Sequence, residues 1–139
     1  MVPLERLLQE ADFVSLNCDL NPTSYHLINR ETLALMKPTA VLINTARGPV
    51  VDEQALIAAL QSGKIRGAAL DVFEEEPLPA DSPLKGMENV LLAPHNANSS
   101  PTAWERVHWN SIRNLLQGLG IPADDLGEWQ ARLKAAMGA

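Results

Sequence analysis

Four polar clusters interrupt an otherwise apolar chain: Asn17-Cys18-Asp19, Thr45-Ala46-Arg47-Gly48, Asp71 with Glu74-Glu75-Glu76-Pro77, and His95-Asn96-Ala97-Asn98-Ser99-Ser100. Their residue types suit proton transfer beside an anionic substrate. Arginine's planar fork grips a carboxylate through two parallel hydrogen bonds. A histidine next to a carboxylate keeps its imidazolium near neutral pH, so it can act as a general acid or, deprotonated, as a base. Taken one at a time, these residues also have structural readings. Arg47 serves equally as a surface charge, His95 as a hydrogen-bonded structural histidine, and Glu74 to Glu76 as a solvated acidic loop. Asp71 is the hardest to read this way, because it interrupts an apolar strand and a buried carboxylate requires a partner. His26 and His108 are read as structural.

The elements that must position these clusters alternate along the chain. Pro3 opens a short helix through Leu4, Leu7 and Leu8, and Phe13-Val14-Ser15-Leu16 reads as a strand. Asn29 caps a helix carrying Leu33, Leu35 and Met36, which Lys37-Pro38 stops before the strand Ala40 to Asn44. Asp52 caps the next helix, with Leu56, Ala59 and Leu60 on one face and Gly63 beyond its end. The strands Ala68 to Val72 and Val90 to Ala93 follow, separated by a proline-rich acidic loop. Ser100 and Pro101 open the longest helix, striped by Trp104, Val107, Ile112, Leu115, Leu116 and Leu119. Short apolar strands separated by helices predict an α/β fold, part of a doubly wound parallel sheet with right-handed crossovers and both faces buried. We assign residues 1–120 to this domain and 121–139 to a helical tail. Ligands of such sheets bind at the carboxyl ends of the strands, where all four clusters fall.

Composition narrows the function classes. The 139 residues carry a formal charge of −6, 46% apolar and 20% charged residues. A chain of that size and composition makes one domain with a real core. The acidic balance, with no basic stripe, argues against nucleic acid. No apolar run reaches transmembrane length and the first residues lack a secretion signal, so we expect no membrane partner and a cytoplasmic protein. Cys18 is the single cysteine and the three histidines are scattered, so neither an internal disulfide nor a metal site is expected.

Three ordered segments resemble a known family. Val41-Leu42-Ile43-Asn44-Thr45-Ala46-Arg47-Gly48, followed by Val51-Asp52-Glu53 and Ala55-Leu56, is similar to the arginine signature of the D-2-hydroxyacid dehydrogenases. Gly67-Ala68-Ala69-Leu70-Asp71-Val72-Phe73-Glu74-Glu75-Glu76-Pro77-Leu78 resembles their glutamate signature, and Asn89-Val90-Leu91-Leu92-Ala93-Pro94-His95 their histidine signature. The resemblance implies the C-terminal half of a Rossmann-like NAD-binding domain, and an oxidoreductase acting on a small 2-hydroxy or 2-oxo acid of the glyoxylate, hydroxypyruvate or phosphoglycerate class. It further implies that Arg47 binds the substrate carboxylate, His95 is the acid/base, and Glu76 pairs with His95. Cofactor contacts are implied for Asn17, Cys18, Thr45, Ala46, Asp71, His95 and Ala97. NAD is the default cofactor, with NADP left open.

The sequence also departs from the family pattern. Asn96-Ala97-Asn98 stands where a glycine-rich stretch is usual, Pro49 where glycine is common, and Asn17-Cys18-Asp19-Leu20 where a histidine and proline pattern is typical. The G-x-G-x-x-G turn that holds a pyrophosphate does not occur in these residues. A second reading is therefore a non-catalytic interaction or regulatory module that keeps the fold; a third, a flavodoxin-like or response-regulator domain, has no use for Arg47 or His95. The strand Phe13 to Leu16 would be interior in a complete sheet, and leaving it at an edge predicts a homo-oligomer or a partner chain that supplies the missing half.

Overall fold

A computed structural model describes residues 2–122 together with 127, 128, 131 and 135, and divides the chain into two units, Met1–Ala97 and Asn98–Ala139. In the first unit, helix α1 (Leu4–Glu10) leads into strand β1 (Phe13–Leu16), α2 (Arg30–Leu35) into β2 (Val41–Asn44), and α3 (Glu53–Gln61) into β3 (Gly67–Leu70). A long connection then reaches β4 (Val90–Leu92). The four strands pair in parallel in the order β1-β2-β3-β4, with Leu16 beside Asn44, Asn44 beside Leu70 and Leu70 beside Leu92. That register aligns the carboxyl ends of all four strands on one edge, so the residues that follow them share a rim.

Local chemistry explains the boundaries. The Asn29 side chain accepts from the Glu31 and Thr32 amides while Thr32 Oγ1 accepts from the Asn29 amide, a reciprocal cap that starts α2. Asp52 accepts from the Ala55 amide to start α3, and Gly63 follows that helix at φ 69°, a left-handed conformation that suits a residue without a Cβ. Along α3, Leu56, Ile57 and Leu60 are buried at helical spacing. They join Leu8, Ile28, Leu33, Met36, Leu42 and Leu84 in one core, where each large side chain contributes about 1.5–3 kcal/mol of burial.

β1 has the expected bounds, and the other three strands are each shorter than expected. β3 ends at Leu70, so Asp71 lies just past the strand rather than inside it, and β4 ends at Leu92. Nor is the sheet buried on both faces. Val14, Leu16, Leu42 and Leu70 are buried on one side, whereas Phe13 is 71% and Leu91 69% exposed. The strand order gives the reason: when successive strands are added in one direction by right-handed crossovers, the connecting helices all land on the same face. Helix α1 touches α2 and α2 touches α3, as that arrangement requires.

In the second unit, α4 (Pro101–Gly118) starts at Ser100, whose hydroxyl accepts from the Ala103 amide. No residue of α4 is buried; Trp104, Val107, Ile112 and Leu115 all lie exposed. The expected helical tail over 121–139 falls largely outside the described residues. Among the described residues, no helix is long and apolar enough to cross a membrane.

Candidate active site

The turn after β2 is shaped by Asn44, only 1% exposed. Its amide nitrogen donates to the Arg47 carbonyl at 3.0 Å and its oxygen accepts from the Ala46 amide at 3.1 Å. This closed turn brings Thr45, Ala46 and Arg47 to the rim, with Arg47 Nη1 donating to the Ala46 carbonyl at 2.6 Å. Gly48 then passes against the backbone of Phe73: a Cβ there would sit 1.8 Å from the Phe73 carbonyl oxygen, a clash that backbone cannot relieve. The arginine turn and the glutamate loop therefore touch main chain to main chain.

Asp71, 5% exposed, finds the partners its burial demands. One carboxylate oxygen accepts from the Asn96 amide and the other from the Ala97 amide, each at 2.8 Å. These two bonds hold the residues just after His95, whose own backbone sits at φ 54°, a left-handed conformation unfavourable for a side chain with a Cβ. On the other side, the Ala93 amide donates to the Leu70 carbonyl at 2.9 Å and carries the pairing of β4 one step past the strand. His95 is thus mounted between two anchors to the end of β3.

His95 Nδ1 lies 2.8 Å from Glu76 Oε2, while Glu76 Oε1 accepts from the Phe73 amide at 3.0 Å. The hydrogen bond from His95 lowers the Glu76 pKa from its ordinary value, helped by the Phe73 amide and by the positive charge of Arg47. An ionised carboxylate only accepts, so Nδ1 carries the hydrogen and Nε2 is the nitrogen free to exchange a proton with a ligand. The pair is about half exposed, with side chains 45% and 37% accessible, which leaves it open to small molecules. It lines a cavity of about 640 Å³ with Phe73, Pro77, Leu78, Lys85, Leu92, Ala93 and Pro94.

Asn17, Cys18, Asp19, Leu20, Thr45, Ala46 and Arg47 line a second cavity of about 600 Å³ at the ends of β1 and β2. The structure therefore brings Glu76 and His95 into contact and joins Asp71 to Ala97. It groups Asn17, Cys18, Thr45 and Ala46 with Arg47 in a separate pocket, from which the arginine reaches Glu76 through its charge. Sequence reasoning missed two features. Lys85 lines the cavity of the His95 pair, its amine donating to the Leu78 carbonyl at 3.1 Å. Glu74, though exposed, bonds His26, with His26 Nε2 2.5 Å from Glu74 Oε1. The latter residues are 48 apart, and no local pattern announces such a pair. Among the described residues, no group of three His, Cys, Asp or Glu side chains is arranged to hold a metal ion.

Comparison with known proteins identifies the frame. Residues 1–97 match the family model described as D-isomer specific 2-hydroxyacid dehydrogenase, NAD binding domain. A glyoxylate reductase of Korarchaeum cryptofilum is 53% identical over 115 residues, covering 83% of this chain and 35% of that reductase. Among solved structures, a D-isomer specific 2-hydroxyacid dehydrogenase from Xanthobacter autotrophicus Py2 in complex with NADPH and MES is 53% identical, with a TM-score of 0.65 over 66% of this chain and 30% of that one. The NAD-complexed D-isomer specific 2-hydroxyacid dehydrogenase of Lactobacillus delbrueckii ssp. bulgaricus is 35% identical, with a TM-score of 0.75 over 87% of this chain and 41% of that one. The chain spans about a third of the length of the curated relatives it matches. Matched by the family model over 1–97, and carrying that domain's parallel sheet, the chain belongs to the D-isomer specific 2-hydroxyacid dehydrogenase family through its NAD-binding domain.

Proposed function

We propose that this chain supplies the catalytic residues of an oxidoreductase that interconverts a small 2-oxo acid and its 2-hydroxy acid, of the glyoxylate or hydroxypyruvate class. The observation that carries the reading is the Glu76–His95 pair at the end of β4, with Arg47 on the turn after β2 at the same rim of the sheet. Arg47 binds the substrate carboxylate through its fork and draws electron density from the neighbouring carbonyl. His95, protonated, gives its Nε2 proton to the carbonyl oxygen during reduction, and in the reverse direction removes the hydroxyl proton at the same atom. Glu76 holds the ring through Nδ1 and stabilises the imidazolium.

The pocket at the ends of β1 and β2 suits a nicotinamide dinucleotide at its nicotinamide end. Its wall combines small side chains, Cys18 and Ala46, with polar groups from Asn17 and Thr45. Asn17, Cys18, Thr45 and Ala46 would hold the cofactor there. The Asp71 oxygens keep lone pairs for a carboxamide donor beside Ala97 and His95. When bound, NAD(H) or NADP(H) supplies the hydride chemistry, and these residues supply orientation and charge. Phe13 at the exposed edge of β1 supports completion of the sheet by a homo-oligomer or a partner chain. A freely diffusing cofactor fits a cytoplasmic location.

The test is NADH fluorescence with the chain, with and without glyoxylate or hydroxypyruvate, followed in the same cuvette for loss of NADH absorbance. Saturable binding with turnover is the expected result. A folded chain that neither binds nor turns over, even with a completing partner, overturns the reading in favour of an interaction module.

A further inference from the structure

The segment from Phe73 to Glu76 belongs to no helix or strand, yet it presents one member of the candidate catalytic pair. Three contacts hold it. Gly48 lies against the Phe73 carbonyl, so closely that a Cβ would sit 1.8 Å from its oxygen. Glu53, the first residue of α3, accepts from the Glu74 amide at 3.1 Å. His26, from the connection between β1 and α2, meets the Glu74 carboxylate at 2.5 Å through Nε2.

His26 is itself firmly mounted. Its amide donates to the Pro49 carbonyl at 2.9 Å, and the backbone around it is zipped to the chain beyond Arg47 through Ile28 N to Val50 O at 3.1 Å and Asp52 N to Ile28 O at 2.8 Å. Its ring stacks on Tyr25, with centroids 4.0 Å apart and planes 15° from parallel. Its φ of 49° is left-handed for a residue with a Cβ, so the surroundings hold it there against local preference. A rigid donor so placed fixes Glu74 in space. From Glu74 the chain is only two residues from Glu76, and the Phe73 amide that Glu76 accepts lies on the other side. A shift of Glu74 therefore moves both the Glu76 carboxylate and the donor that aligns it.

We propose that His26 is a positioning residue: through Glu74 it sets the loop that presents Glu76 to His95, so that the two His–Glu pairs act as one tie. The proposal deepens the reading in which Glu76 orients His95, and rests on it for its catalytic meaning. His26 touches neither the cavity of His95 nor that of Arg47. Its effect travels through the loop.

The experiment is NMR on the folded chain, reading amide exchange at Phe73 and the carboxyl titration of Glu76 in three variants. His26→Phe keeps a ring for Tyr25 but removes the donor; Phe73 exchange then speeds up roughly tenfold, the protection of about one ordinary hydrogen bond, and the Glu76 titration moves up toward the usual carboxylate range. His26→Gln keeps a neutral donor near the same place and restores both readouts. Glu74→Gln weakens the pair from the other side without disturbing the ring stack, speeds Phe73 exchange, and serves where His26→Phe does not fold. Repeating the titration in high salt separates the loss of a nearby charge, which salt screens, from the loss of alignment, which it does not. If a folded His26→Phe or Glu74→Gln variant keeps Phe73 exchange and Glu76 titration at their wild-type values, the tie does not exist. Turnover of Glu76→Gln is the separate arm: an unchanged rate there removes Glu76 from catalysis and leaves the mechanical coupling standing.

Discussion

Two His–Glu pairs draw on one loop, and they are built alike to different ends. In each, a histidine with a left-handed backbone, φ 49° at His26 and 54° at His95, meets a glutamate of the Phe73–Pro77 segment. The His26 pair is held by neighbouring structure although its side chains are about a third exposed: Tyr25 stacks on the ring, and Glu53 takes the Glu74 amide. The His95 pair opens on a cavity of about 640 Å³, and its glutamate also takes the Phe73 amide and is influenced by the charge of Arg47. The difference teaches that a histidine beside a carboxylate is not itself a sign of chemistry. What sets the His95 pair apart is the cavity it lines, whereas the His26 pair lines neither that cavity nor the one beside Arg47.

The largest expected effect separates the two pairs most sharply. His95→Ala in an assembly that turns over should lower kcat by about 10²–10⁴-fold, the usual contribution of a general acid/base, with NADH affinity nearly unchanged. Steady-state rates and a fluorescence titration check it, and a mutant that retains most of its rate removes His95 from the mechanism.

Gly48→Ala should come next, because it strikes the loop that both pairs share. The new Cβ meets backbone at 1.8 Å, and overpacking of this kind costs about 1–3 kcal/mol. Urea unfolding should show the loss, and a wild-type midpoint would mean that the Phe73 segment yields more readily than its contacts suggest. Asp71→Ala acts on the His95 side alone. It leaves the Asn96 and Ala97 amides without their acceptor, at a cost of about 1–3 kcal/mol. His95 should lose its NOEs to Glu76 while the His26 ring keeps its contacts with Tyr25. Equal disturbance of both histidines would show that the two pairs are not separable.

The smallest effect is a pH dependence whose sign differs on the two sides of the loop. Glu76 is held below its ordinary value of 4.5, first by the His95 hydrogen bond. Its contribution to stability is therefore complete above that value and is lost as pH falls through the lower folded value. Burial raises Glu53 above 4.5, reinforced by the charges of Glu74 and Glu75. Its protonated form favours the folded state, and that advantage is lost as pH rises from 4.5 through the raised folded value. Glu76→Gln should thus lower Tm at neutral pH and converge with wild type in acid, whereas Glu53→Gln should raise Tm at neutral pH and converge in acid. Thermal melts across that range decide it, and parallel curves would mean that neither carboxylate is coupled to folding.

Much of the molecule was legible from local chemistry. The caps at Asn29, Asp52 and Ser100 are short-range hydrogen bonds written in consecutive residues, and the alternation of apolar runs announced the order of helices and strands. The polar residues straight after each strand marked the rim of the sheet, and ordered signatures around Arg47, Glu76 and His95 marked the family. Other features depend on contacts between distant segments. The partners of Asp71 lie 25 and 26 residues away, and the close approach of Gly48 to Phe73 exists only once two turns meet. Glu74 reads as a solvated acid until the fold brings His26 to it. The uncovered sheet face follows from the spatial order of the strands, which apolar composition does not encode, so Phe13 and Leu91 look like core residues in sequence and lie exposed in the fold. Local hydrogen bonding and periodicity thus determined which elements form and which residues reach the rim. Only the tertiary structure decided which of the rim's glutamates serves a cavity and which serves the scaffold, because that depends on distances between segments that the chain order leaves free.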